Sequence, residues 1–169
     1  ILHEFKSGNI HYLVNHSEAK VLFADDVIWE GLEISEMPSV QVVVQINSLR
    51  IVYSRSEEME YVRCHLNEFF GQKYPDSFGP EDLDYYGDSP DELAIINYTS
   101  GTTGYSKGVM LSSHSLSSNI AYCQEMLPVE AGDHIVSMLP LGHVFGMVYD
   151  FLFGFSAGAH LFFLTRMPT

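Results

Sequence analysis

The stretch Tyr98-Thr99-Ser100-Gly101-Thr102-Thr103-Gly104-Tyr105-Ser106-Lys107-Gly108-Val109 gathers hydroxyl side chains, glycines and one cation into a single short loop. These are the groups that hold phosphate. Glycine lets successive backbone N–H groups turn toward one anion with no Cβ in the way, the Ser and Thr hydroxyls add donors, and Lys107 supplies the charge. A Ser/Gly-rich linker has a similar composition but is indifferent to residue order. The flanks here are not those of a linker. Leu93 to Tyr98 and Val109 to Leu111 are short apolar runs rich in β-formers, so the loop is predicted to join two strands. After the second strand, Ser113 is predicted to cap a helix that carries Leu116, Ile120, Cys123 and Leu127 on one stripe and ends at Pro128.

The loop resembles the signature phosphate loop of the adenylate-forming (AMP-binding) superfamily, which includes acyl-CoA synthetases, luciferases and peptide-synthetase adenylation domains. Its usual form is Tyr-Thr-Ser-Gly-Thr-Thr-Gly-x-Pro-Lys-Gly-Val, and this chain departs from it at Ser106, where proline is usual. Losing proline frees φ and restores an N–H, so the loop is expected to be more mobile here. Downstream, Leu139-Pro140-Leu141-Gly142-His143 resembles the Leu-Pro-Leu-x-His segment of acyl-CoA synthetases, near the acyl pocket, and the wording around it is nearest to long-chain fatty-acid members. The opening stretch from Ile10 to Phe23 also resembles the helix and strand ahead of the loop.

The resemblance implies the following roles. Thr99, Ser100, Gly101, Thr102, Thr103 and Gly104 bind the ATP phosphates, with Thr99 also touching Mg²⁺. Lys107 is the functional cation, and His143 lines the acyl tunnel. The implied reaction activates a carboxylic acid with ATP and passes the acyl group to coenzyme A. The implied fold is α/β, with layered sheets and helices, and the chain is read as a fragment, 1–169, of a single large N-terminal domain of a longer enzyme. The motifs that follow the histidine segment in the superfamily, and its C-terminal lysine, are not found in this stretch. By itself the chain is expected to be catalytically silent.

Composition narrows the partners. The chain has 169 residues, 46% of them hydrophobic, enough for a core of ordinary size. Eight Lys and Arg against 22 Asp and Glu give a formal charge of −14, which argues against nucleic acid, whose binding draws on cations against phosphates. Much of the acidity falls in 75–92, a Pro-rich segment predicted to be a solvated connection. Cys64 and Cys123 form no Cys-x-x-Cys pair, and the histidines show no ligand spacing. A reducing, cytoplasmic location is expected, membrane-peripheral at most. The apolar run Val144 to Leu164 contains Asp150, Gly154, Gly158 and His160, and a mid-span charge costs about 2.5–3.5 kcal/mol on insertion scales. It is therefore predicted as a buried helix, Val144 to Ser156, and a strand, Ala159 to Leu164, with no membrane span.

Two rival chemistries are weaker. A Walker A loop needs its lysine to open directly into a helix, whereas a strand is predicted after Lys107. Gly154-Phe155-Ser156-Ala157-Gly158 matches the hydrolase elbow with Ser156 as nucleophile, but the elbow needs a strand before and a helix after, the reverse of this prediction. A non-catalytic binding module that kept the phosphate loop is the remaining alternative.

Further expected elements are a helix from Gly8 to Asn15 capped by Ser7, strands at Lys20 to Ala24, Val40 to Ile46, Arg50 to Tyr53 and His134 to Met138, and a helix from Glu57 to Phe70. Helices alternating with β-branched strands make a layered α/β core. In a fragment some apolar faces stay uncovered and favour self-association.

Overall fold

A computed structural model of the chain describes residues 5–83, 89–99 and 106–164. They divide into two compact units, one within Lys6–Tyr86 and one within Ile1–Phe5 together with Gly87–Thr169.

In the first unit, helix α1 (Ser7–His16) buries Ile10, Leu13 and Val14, the i, i+3, i+4 stripe of its sequence. Ser7 is the first residue of the helix rather than its cap, so the helix begins one residue before its predicted start at Gly8; the cap position is Lys6, which makes no side-chain cap. Strand β1 (Val21–Ala24) alternates exposed and buried and pairs in parallel with β2 (Val42–Gln45), which pairs antiparallel with β3 (Ile51–Ser54) through a bulge at Val43/Val44. A short helix absent from the sequence expectations, α2 (Asp26–Glu30), starts where the Asp25 carboxylate accepts the Val27 N–H at 3.0 Å. Met37, Val40 and Val43 are fully buried at the centre, and the Arg55 guanidinium donates to the Met37 carbonyl oxygen at 3.0 Å.

The predicted helix from Glu57 to Phe70 is two helices, α3 (Glu57–Cys64) and α4 (Leu66–Lys73). His65 breaks it. Its Nδ1 lies 2.8 Å from the Tyr61 carbonyl oxygen, which the His65 backbone N–H also reaches, and its φ and ψ of −112° and 17° leave the helical range. The described part of the acidic segment, 75–83 and 89–92, is mostly exposed.

The second unit opens on a hairpin. Strand β4 (Leu93–Thr99) runs antiparallel to β5 (Lys107–Ser112), in a register that sets Tyr98 opposite Gly108 and Thr99 opposite Lys107. Because β5 extends through Ser112, the cap of helix α5 (Ser113–Met126) is Ser112, whose Oγ accepts the Ser115 N–H at 3.2 Å. Of the predicted α5 stripe, Cys123 is buried, while Leu127 stands beyond the helix end and is exposed.

Strand β6 (His134–Ser137) and strand β7 (His160–Phe163) pair in parallel. Between them runs the predicted helix, with a difference in winding: Gly146–Phe153 is a π-helix, and one α-turn, Gly154–Ser156, completes it. It packs tightly on the strands at Gly154, where an added Cβ would lie 2.5 Å from Leu161 Cδ2 and 3.0 Å from Ile135 Cδ1. The opposite face of β6 and β7 is open, with Val136 and Phe162 each 52% exposed. Among the described residues no helix is long and apolar enough to cross a membrane.

Candidate functional site

The motif 98–109 begins on β4 and ends on β5. Alternation along β4 puts Ile96 and Tyr98 on one face and Asn97 and Thr99 on the other. Gly108 is required on the first face, since a Cβ there would lie 2.9 Å from Ile96 Cγ2 and 3.2 Å from Tyr98 Cε1. Thr99 and Lys107 are therefore paired directly across the hairpin where the loop leaves and returns, and both are exposed. Lys107 enters no ion pair with another described residue, and Ser106 precedes it half-buried. Ser100, Gly101, Thr102, Thr103 and Gly104 lie outside the described residues.

The second sequence motif is a turn held in place from several sides. The His143 N–H donates to the Pro140 carbonyl oxygen at 2.9 Å, and the His143 carbonyl oxygen accepts the Met147 N–H at 3.1 Å, which starts the following helix. The Phe145 N–H donates to His143 Nδ1 at 3.2 Å. That bond fixes the neutral imidazole's proton on Nε2, and the side chain is exposed.

Asp150 anchors the start of the turn. One carboxylate oxygen, Oδ2, accepts from Ser137 Oγ at 3.0 Å, the Met138 N–H at 3.1 Å and the Leu139 N–H at 3.2 Å. Gly146 lets the turn lie against the helix, because an added Cβ would sit 2.7 Å from the Pro140 carbonyl oxygen. The hairpin reaches the turn through Asn97, whose Nδ2 donates to the Gly142 carbonyl oxygen at 3.1 Å. The structure thus ties together two motifs that are 45 residues apart at these atoms.

Beside the turn, a groove of about 180 Å³ runs between α5 and the π-helix, with Leu111, Leu116, Val144, Phe145 and Val148 in its walls. Its polar edge is a bridge: the Tyr149 hydroxyl donates to Asn119 Oδ1 at 3.1 Å, and Asn119 Nδ2 donates to the Ser115 carbonyl oxygen at 2.7 Å. Val144 and Phe145 directly follow His143, so the turn opens onto apolar surface.

Sequence reading missed Asn97, Asp150, Asn119 and Tyr149. A polar residue inside an apolar run was the available signal for the first two, since a partly buried amide or carboxylate must find partners. Ser156 is not an elbow nucleophile. It ends a helix, its Oγ donates to the Phe153 carbonyl oxygen at 2.8 Å, and it accepts from Gln124 Nε2 at 3.1 Å. Among the described residues no cluster of three or more His, Cys, Asp or Glu could hold a metal.

The family model described as AMP-binding enzyme matches residues 1–169. The chain is 31% identical over 159 residues to Long chain acyl-CoA synthetase 6, peroxisomal, of Arabidopsis thaliana, covering 88% of this chain and 21% of that protein. It is 28% identical over 148 residues to Long-chain-fatty-acid--CoA ligase 1 of Cavia porcellus, covering 80% of this chain and 20% of that one. The chain therefore spans about a fifth of the length of these curated relatives. Among solved structures, a natural red emitting luciferase from Phrixothrix hirtus superposes with a TM-score of 0.76 at 19% identity, over 98% of this chain and 31% of that one. ATP-bound MatB from Rhodopseudomonas palustris gives 0.69 at 21% identity, over 99% and 30%. At these identities the structural likeness concerns the fold.

Proposed function

Since the chain belongs to the AMP-binding enzyme family, we propose that it is the phosphate- and acyl-binding part of a longer ATP-dependent ligase that activates a fatty acid and transfers it to coenzyme A. The acid's carboxylate attacks the α-phosphorus of ATP, the α–β bridge bond breaks, and an acyl-adenylate and pyrophosphate form. The thiol of coenzyme A then attacks the acyl carbon, and AMP leaves as the thioester forms.

The observation that carries this reading is the register of Thr99 against Lys107 at the two ends of the motif loop. As the α–β bond breaks, charge collects on the departing pyrophosphate, and donors already aimed at it lower the barrier. Residues 99–104 are proposed to cradle the β- and γ-phosphates, with Lys107 neutralising them. A Mg²⁺ ion is held mostly by substrate phosphates and water, with one or two carboxylates. The exposed Thr99 hydroxyl suits a single contact to it, while the described residues supply no acidic cluster to complete the site. Such an ion would add positive charge against the triphosphate.

The acyl chain is assigned to the groove beside His143, whose apolar walls match a hydrocarbon and exclude water. The isolated chain is proposed to be inactive, and apolar side chains such as Phe162 would favour its self-association.

The test is ATP–pyrophosphate exchange with a panel of fatty acids, measured on the full-length protein. Acid-dependent exchange supports the ligase. ATP binding with no exchange would identify a non-catalytic binding module instead.

A further inference from the structure

Building on the proposed ligase reading, we infer that Asn97 is a positioning residue that couples the phosphate loop to the acyl-site turn. The hairpin strand that enters the loop carries Asn97 and Thr99 on one face, two residues apart. The Asn97 amide is partly buried and donates to the carbonyl oxygen of Gly142, the residue bonded to His143. From Thr99 at the mouth of the loop to His143 at the mouth of the groove, the connection is one strand step and one hydrogen bond.

The rest of the turn is fixed from the far side and so transmits a shift. Asp150 holds its start through three hydrogen bonds that a single carboxylate oxygen accepts from Ser137, Met138 and Leu139. Gly146 lies so close to Pro140 that no side chain fits between them. The turn can therefore not follow the helix one way and the hairpin another. A change at the loop when the triphosphate seats is passed to residues 140–143, where the acid would be presented. The chemistry needs this: attack on phosphorus requires the two reacting atoms in line, and a misplacement of about 1 Å costs on the order of a hundredfold.

Coupling of this kind is measured as the factor by which one ligand tightens binding of the other, which is reciprocal. The test uses the full-length protein and two near-isosteric variants, Asn97→Leu and Asn97→Asp, neither of which can donate to the Gly142 carbonyl oxygen as an ionised or apolar side chain. Expected for both is a fall in kcat for ATP–pyrophosphate exchange of about tenfold, with KM for ATP moved by less than about twofold, the scale of one hydrogen bond. The tightening of fatty-acid binding by a non-hydrolysable ATP analogue should fall about fivefold or more. A lowered melting temperature with unchanged kcat and unchanged tightening would assign Asn97 a merely structural role and overturn the inference.

Should both variants fail to fold, hydrogen exchange on the unmutated protein decides. The analogue is expected to slow exchange in the peptide spanning 98–109 and also in that spanning 139–147. Slowing in the first alone overturns the coupling and leaves the phosphate site standing. Slowing in neither removes the phosphate site, and the coupling with it.

Discussion

Thr99 stands directly opposite Lys107 in the antiparallel register of β4 and β5, so the hydroxyl and the cation flank the same loop mouth. Neither needs the loop to fold further in order to be brought together. Lys107 has no carboxylate neighbour to leave among the described residues, and its charge is available to an incoming anion.

Lys107→Ala in the full-length protein should lower ATP–pyrophosphate exchange by one to three orders of magnitude, roughly the loss seen when a single preorganised electrostatic contact is removed. Lys107 is exposed, so its melting temperature should not change. Unaltered exchange would exclude Lys107 from the reaction.

Asp150→Ala should destabilise the protein by about 1–3 kcal/mol in urea denaturation, because it removes the acceptor of the Ser137, Met138 and Leu139 donors together. Asp150→Asn keeps one acceptor oxygen and should lose less. Equal stability of the alanine variant and the unmutated protein would show that water replaces the carboxylate without cost.

Two glycines on the same helix should respond differently to alanine. At Gly146 the new methyl meets the Pro140 carbonyl oxygen, which is backbone and part of the His143 turn. At Gly154 the nearer contact, 2.5 Å, is to the end of the Leu161 side chain, which can rotate away. Gly146→Ala should therefore cost more stability than Gly154→Ala, by about 1 kcal/mol or more, an overpacking effect. The reverse order in thermal denaturation would contradict the described packing.

The two cysteines should separate in a thiol-labelling experiment. Cys64 is exposed and should react at once, while Cys123, buried on α5, should react only on unfolding. Burial pushes the Cys123 thiol above its ordinary value, since the thiolate is poorly solvated there. A group raised in the folded state favours folding below its unfolded pKa, near 8.5, and that contribution is lost as pH climbs through the folded value. Denaturation midpoints should thus decline above about pH 8.5, and Cys123→Ser, which keeps the size without the titration, should flatten that decline.

Much of the second unit was legible from residue order. The two β-rich runs and the capped helix after them follow local rules of pattern and capping, and each is found within a residue or two of its expected bounds. What escaped was decided by partners distant in sequence or by a single side chain. Nothing in the pattern distinguishes His65 from a helical residue, because Leu66, Phe69 and Phe70 continue a helical pattern past it; the break shows only in its backbone angles, with ring and N–H sharing the Tyr61 carbonyl oxygen. The helix at Asp26–Glu30 is too short for periodicity to speak. Asn97 reads as a polar interruption in a strand, and only the folded chain says that its partner is Gly142. In the first unit the parallel pairing of β1 with β2 likewise depends on contacts across intervening chain that no local pattern encodes.

The wide winding of Gly146–Phe153 gives that helix a tolerance of length that an α-helix lacks. A π-turn accommodates one residue more than an α-turn, so excising a single residue early in the segment would let it relax to ordinary helix. The deletion would then be absorbed by the change of winding, and the residues on either side of it would keep the faces they present. The segment is a reserve of length: a one-residue loss that would turn one end of an α-helix against the other by about 100° is taken up there, and the carboxylate clamp stays engaged.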